Sequence, residues 1–216
     1  MGSLGVIPLG TANDLVCNLG LPVDLDSSVA IIAAGKSRLM DVCQVNEHYF
    51  VNNSAIGLEP YITLVQERIT WIKGMIRYLF AAVRGIMDNP HWNARLDWDD
   101  GHYEGPLLFV SVGNNPRTGG VFYMTPHANA FDGKLTFAHA YREKPGEILR
   151  LLPTAMKAGA GNYVEKERAF EGNATWLNIL FETPAPAHVD GEIFATGIKS
   201  LQYKIQPGCL PILLPD

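Results

Sequence analysis

Between Asp88 and Trp92 the spacing of the apolar residues changes from a helical period to an alternation of two. That switch limits the chain to a few folds more tightly than any other feature. Before it, residues 59–87 carry the longest helical signal. Ile72, Met75, Ile76, Leu79, Phe80, Val83, Ile86 and Met87 share one arc, with Lys73, Arg77 and Arg84 on the adjoining arc. The pattern predicts one long helix with its apolar arc on a β-rich core and its basic stripe outward, ended by Asp88-Asn89-Pro90. After the switch, 94–98, 107–112, 135–140, 175–181, 200–205 and 210–215 all have strand character, and Asp99-Asp100-Gly101 reads as a hairpin turn. Only 145–157 reads as a helix, which Pro153 should end or kink. Twenty-one glycines and 14 prolines supply the turns that many short strands need.

The N-terminal part reads differently. Residues 4–8 look like a short buried strand, followed by a tight turn at Gly10–Asp14 and a helix that stops at Gly20. A second helix should run from Ser27 or Ser28 to Ala34, with Gly35 as its stop. Residues 41–53 read as two strands joined at Asn46-Glu47. The expected fold class is α+β and β-rich. Residues 1–40 are read as an α/β segment, and 41–216 as a β-rich domain whose last strand could return to the first segment.

Composition removes several function classes. A net charge of −5 argues against a nucleic-acid footprint. Cys17, Cys43 and Cys209 are odd in number and lack metal-site spacing, which points to a reducing, cytoplasmic setting. No signal peptide and no apolar run long enough to span a bilayer are expected. The six histidines show no ligand spacing.

Three segments could carry chemistry, and each has a plain structural alternative. Gly10-Thr11-Ala12-Asn13-Asp14 could hold a phosphate at a helix start, or could simply cap that helix with Thr11. The stretch from Asn129 to Lys134, containing Asp132-Gly133, could hold Mg²⁺ or Ca²⁺ through carboxylate and carbonyl oxygens, or could be a turn before a strand. Asp190-Gly191-Glu192 could be a base with an orienting carboxylate, or a hairpin tip.

In this order the segments resemble the diacylglycerol kinase catalytic-domain family, which includes bacterial lipid kinases and sphingosine kinases. The resemblance rests on residues 4–15, on Phe50-Val51-Asn52-Asn53 and Ala55-Ile56-Gly57, and on Val112-Gly113-Asn114. It continues through Phe131-Asp132-Gly133-Lys134-Leu135, Asp190-Gly191-Glu192 and Gln206-Pro207-Gly208, and so covers nearly the whole chain. It implies a two-domain fold, an α/β nucleotide-binding part and a β-sandwich-like part with the active site between. The implied reaction is transfer of the γ-phosphoryl group of ATP, with Mg²⁺, to a lipid hydroxyl at a membrane surface. It implies nucleotide contacts from Gly10, Thr11, Asn13 and Asp14, a general base at Asp190 with Glu192 beside it, and a structural Mg²⁺ at Asp132 with the carbonyls of Asn129 and Lys134.

One departure is large. The family's Gly-Gly-Asp-Gly-Thr phosphate loop precedes the Gly-Thr-Ala-Asn-Asp stretch, and the Asp-Gly pairs at Asp100, Asp132 and Asp190 all lack a preceding Gly-Gly. The chain is therefore expected to be inactive alone, with the nucleotide-binding half as its missing partner. The alternative is a stand-alone lipid- or protein-binding module. Unpaired strand edges at 4–7 and near Leu210 would favour a homodimer.

Overall fold

The computed structural model describes residues 2–215, except for the Met75 side chain. Among the described residues twelve strands and five α-helices follow one another. They are α1 (Asp14–Asn18), α2 (Leu25–Ala34), β1 (Ser37–Val45), β2 (His48–Phe50), β3 (Asn53–Gly57), α3 (Leu58–Glu67), α4 (Gly74–Met87), β4 (Trp92–Trp98), β5 (Gly101–Leu107), β6 (Phe109–Gly113), β7 (Arg117–Thr118), β8 (Phe122–Tyr123), β9 (Leu135–Ala140), α5 (Pro145–Ala155), β10 (Ala169–Ala174), β11 (Trp176–Val189) and β12 (Glu192–Leu213). The structure is β-rich, as its sequence predicts.

The main sheet runs β10-β9-β6-β3-β11-β12-β1-β2, with the β4–β5 hairpin added on β11. The long strand β11 changes partner along its length. Residues 177–181 pair with β4, and 187–189 pair with β3. The change falls at Pro184 and Pro186, where the β11–β12 register shifts. Proline lacks the ladder donor and belongs at such breaks. Folding the sheet there lets Phe50, Ile56, Leu96, Val110, Phe137 and Leu177 meet in one sandwich core. On the outer face of β6 and β9, helices α3, α4 and α5 bury Leu58, Ile62, Ala81, Ile86, Phe109 and Ile148 as a second core.

Four expectations need correction. The predicted long helix is two, broken between Glu67 and Gly74. Its apolar arc does not face the core: Ile76 is 69% exposed, Met87 55% and Phe80 46%. Ala81, Ala82 and Gly85 are buried instead, and of the arc Ile86 goes in with them. Small residues let the helices approach closely, since a Cβ on Gly85 would lie 3.0 Å from Ile62. The bulky row is therefore turned outward. The strand at 4–8 is reduced to a single bridge, Leu4 to Ile212, and Leu4 and Ile7 are exposed. Pro153 does not end α5, which runs two residues past it.

Candidate functional site

A polar cleft of about 580 Å³ brings together sequence segments far apart in the chain: Gly10–Asp14, the turn at 51–53, Glu59 and Thr63 of α3, Tyr78 of α4, and Asp190 to Glu192. Of the predicted site residues, Gly10, Thr11, Asn13, Asp14, Asp190 and Glu192 line it. Asn129, Asp132 and Lys134 do not.

Asp190 and Gly191 form the two-residue tip joining β11 to β12, with φ of 46° and 87°. Both signs suit the mirror-image turn that Asp-Gly favours. The Asp190 side chain turns back on the neighbouring strands. Its Oδ1 accepts from the N–H groups of Asn52 and Asn53 at 2.9 and 3.0 Å, and Oδ2 from Val51 at 3.0 Å. Burial pushes its carboxyl above the usual range, while these N–H donors pull it down. A carboxylate offers about four acceptor positions, so about one remains for a ligand. Glu192 sits exposed on the rim; the backbone N–H groups, not Glu192, hold Asp190.

The turn at 51–53 has a second brace that motif reading missed. Asn114 Nδ2 donates to the carbonyls of Asp41 and Val51, and Asn115 Nδ2 also donates to Val51. Asn18 donates to Asn52 Oδ1 and to the Arg117 carbonyl. The cluster of asparagines in the sequence was the available signal, because buried amides of this kind satisfy backbone groups at turns.

The Gly10–Asp14 segment is built differently from the expected cap. The residue before α1 is Asn13, at φ 48°, and its Oδ1 accepts from Gly10 N–H at 2.9 Å. Thr11 is exposed and is not the cap. Asp14 accepts from Gly120 N–H at 3.0 Å and lies 3.5 Å from the Arg117 guanidinium. Burial raises its carboxyl, with Gly120 and Arg117 opposing. Asp14 thus ties α1 to the β7–β8 hairpin.

Asp132 Oδ1 accepts from Lys134 N–H, and Asn129 Oδ1 from Phe131 N–H. Asp41 closes the loop by accepting from Gly133 and Gly208 N–H, each at 2.7 Å. Among the described residues no group of three His, Cys, Asp or Glu side chains could hold a metal ion. The oxygen set at this loop, one carboxylate and two backbone carbonyls, suits a hard divalent cation in kind.

Glu59 was not singled out by sequence. It is 7% exposed, and burial lifts its carboxyl to about 7, with the nearby Ser111 hydroxyl opposing. His188 is 4% exposed and burial lowers it to about 4. Glu59 Oε2 and His188 Nε2 are 3.9 Å apart. At neutral pH the imidazole is uncharged, so this contact is not an ion pair.

Behind Glu59 and Tyr78 lies a second, apolar cavity under α3, α4 and α5, walled by Ile62, Ala82, Phe109, Phe122, Ile148 and Leu152 among others. Glu59 and Tyr78 line both spaces.

Fold and sequence place the chain with the YegS-type β-sandwich-like domains. Residues 53–214 match the model of the YegS C-terminal NAD kinase beta sandwich-like domain, and the chain belongs to that family. Residues 2–45 match the diacylglycerol kinase catalytic domain. The chain is 27% identical over 215 residues to the "Probable lipid kinase YegS" of Escherichia fergusonii, covering 99% of this chain and 69% of that protein. It is 26% identical over the same shares to the lipid kinase YegS of Escherichia coli K12. A diacylglycerol kinase structure from Bacillus anthracis superposes with a TM-score of 0.72 at 21% identity, covering 99% of this chain and 67% of that one, which shows a shared fold. Among the described residues no helix is long and apolar enough to cross a membrane.

Proposed function

We propose that this chain carries the lipid-acceptor side of an ATP-dependent lipid kinase. The supporting observation is a pair of adjoining spaces. A narrow apolar cavity of about 70 Å³ shares Glu59 and Tyr78 as wall with a polar cleft containing Asp190 and the Gly10–Asp14 segment, and in this proposal the lipid's chain enters the apolar one. A ligand with an apolar tail and a polar head fits that sequence of environments.

In this reading the acceptor hydroxyl oxygen bonds to the γ-phosphorus of ATP as the bond to the departing ADP breaks. Asp190 takes the hydroxyl proton on its remaining acceptor position. Gly10, Thr11 and Asn13 face the nucleotide. Mg²⁺ at Asp132 and the Asn129 and Lys134 carbonyls would stiffen a loop outside the cleft. The phosphate cradle comes from a segment bearing Gly-Gly-Asp-Gly-Thr, and without it this chain neither binds ATP tightly nor transfers phosphate.

The outward row of α4, with Trp71 74% exposed before it, meets the membrane in this proposal. Lys73 and Arg84 are exposed beside that row and Arg77 half-buried, a basic fringe suited to anionic headgroups in a chain of net charge −5.

The test supplies the protein with a polypeptide carrying the phosphate loop. Transfer of labelled γ-phosphate from ATP to a lipid hydroxyl in vesicles is expected from the combined parts and from neither part alone. Lipid phosphorylation by this chain alone would overturn the division of labour. Absence of transfer with a phosphate-loop segment shown to bind ATP would overturn the kinase reading.

A further inference from the structure

Four buried polar side-chain atoms have no hydrogen-bond partner among the described residues: Asn53 Nδ2, Glu59 Oε1, Ser111 Oγ and His188 Nδ1. They are not scattered. Ser111 and His188 stand directly opposite Ala55 on the two neighbouring strands, so all three project from one face of the sheet. Asn53 lies two residues before Ala55 and shares that face. Glu59 reaches the same face from the first turn of α3, which begins directly after β3.

Leaving one such group unpaired costs about 1–3 kcal/mol. Asn53, Glu59 and His188 line the polar cleft, Glu59 alone of the four also lines the apolar cavity, and Ser111 stands beside them on the same sheet face. An acceptor, Glu59 Oε1, is held without a partner on the residue that walls both spaces, and the ring nitrogen His188 Nδ1 is unpaired on a residue of the polar cleft.

We infer that Glu59, backed by His188, is the residue that selects the lipid: its free Oε1 accepts a hydrogen bond from a hydroxyl or amine carried next to the chain. This rests on the lipid-kinase reading and narrows its substrate class to lipids with a donor beside Glu59, as against lipids capped there by esters or ethers alone. The Ser111 hydroxyl stands close enough to pull the Glu59 carboxyl down, so a ligand donor would share or replace that contact, while the titratable groups around Glu59 bring it no positive charge. His188 from β11 is neutral at pH 7, and the hydroxyls of Tyr78, Tyr163 and Tyr203 stay protonated, raised by burial and by the Glu59 charge. Arg142 also lines the apolar cavity, but its guanidinium is engaged by the carbonyls of Tyr141 and Glu167.

The experiment needs no nucleotide. Binding of monooctanoylglycerol is compared by calorimetry with that of its dimethyl ether, which has the same chain and no donor. The protein should prefer the free hydroxyls by about 10-fold or more, the discrimination of one buried hydrogen bond. Glu59→Leu should bind both alike, while Glu59→Gln, which keeps a carbonyl acceptor, should retain part of the preference. Thermal melts report whether each variant folds, and the Gln variant carries the test if the Leu variant does not. Equal binding of the two probes by the unaltered protein, or an undiminished preference in Glu59→Leu, would overturn the assignment. Binding of neither probe would overturn the acyl-cavity reading itself, and the role of Glu59 with it.

Discussion

The hairpin tip at Asp190 and the shared wall at Glu59 place two buried carboxylates in one cleft and treat them oppositely. At the tip, three backbone N–H groups converge on the carboxylate and fasten it to the 51–53 turn. At Glu59, Oε1 has no partner and Oε2 stands 3.9 Å from His188 Nε2. A carboxylate met by three donors builds structure and keeps little room for a ligand, whereas one left bare in an apolar wall is kept for a ligand or holds its proton.

The comparison breaks most sharply at Asp190. Asp190→Ala strips three N–H groups of a charged acceptor, and each such bond contributes about 1.5–3 kcal/mol, so a loss of ~4 kcal/mol in urea unfolding is expected. Asp190→Asn, which keeps one acceptor oxygen, should fall between. A loss under about 1 kcal/mol for the alanine variant would mean that the tip is not fastened as described.

At Glu59 the opposite sign is expected. Folding lifts this carboxyl from 4.5 to about 7, so the folded state holds the proton more tightly than the unfolded one. Stability from this group is present below pH 4.5 and is lost as pH rises through about 7. Glu59→Gln should therefore gain stability relative to the parent between pH 5 and pH 8, by up to ~3 kcal/mol. His188, depressed to about 4, makes stability rise with pH in both proteins and cancels in the difference. A pH-independent difference in melting temperature would show that Glu59 is not desolvated.

A smaller effect sharpens how Glu59 is positioned. Gly57 precedes α3 at φ 89°, and a Cβ there would meet the Leu108 carbonyl oxygen at 2.8 Å. Gly57→Ala should cost ~2 kcal/mol and loosen α3, read as faster amide exchange in that helix. Unchanged exchange would detach the glycine from the placement of Glu59. Smallest is Arg77→Gln on the basic fringe of α4, which should weaken binding to anionic vesicles about 5-fold, roughly 1 kcal/mol, and leave neutral vesicles unaffected. Equal loss on both vesicle types would point to packing rather than charge.

Local chemistry made much of this molecule legible. Asp190-Gly191 wrote its own turn, because few sequences tolerate two positive φ values in succession. The turn at Asn46-Glu47 and the hairpin after Trp98 follow from alternation broken by polar residues. The Gly-Thr-Ala-Asn-Asp stretch and Asp190 were recognisable as motifs, and the fold brings them to one cleft.

What sequence left open are choices between surfaces, which depend on what lies opposite. The apolar arc of α4 predicted a buried face, but Ala81, Ala82 and Gly85 give α3 the closer approach, and close packing there outweighed burying the larger side chains. Glu59 reads in sequence as an ordinary first-turn acid of a helix. Only the sheet beneath α3 and the wall of the apolar cavity take it out of water, and desolvation is a property of surroundings that no single segment encodes.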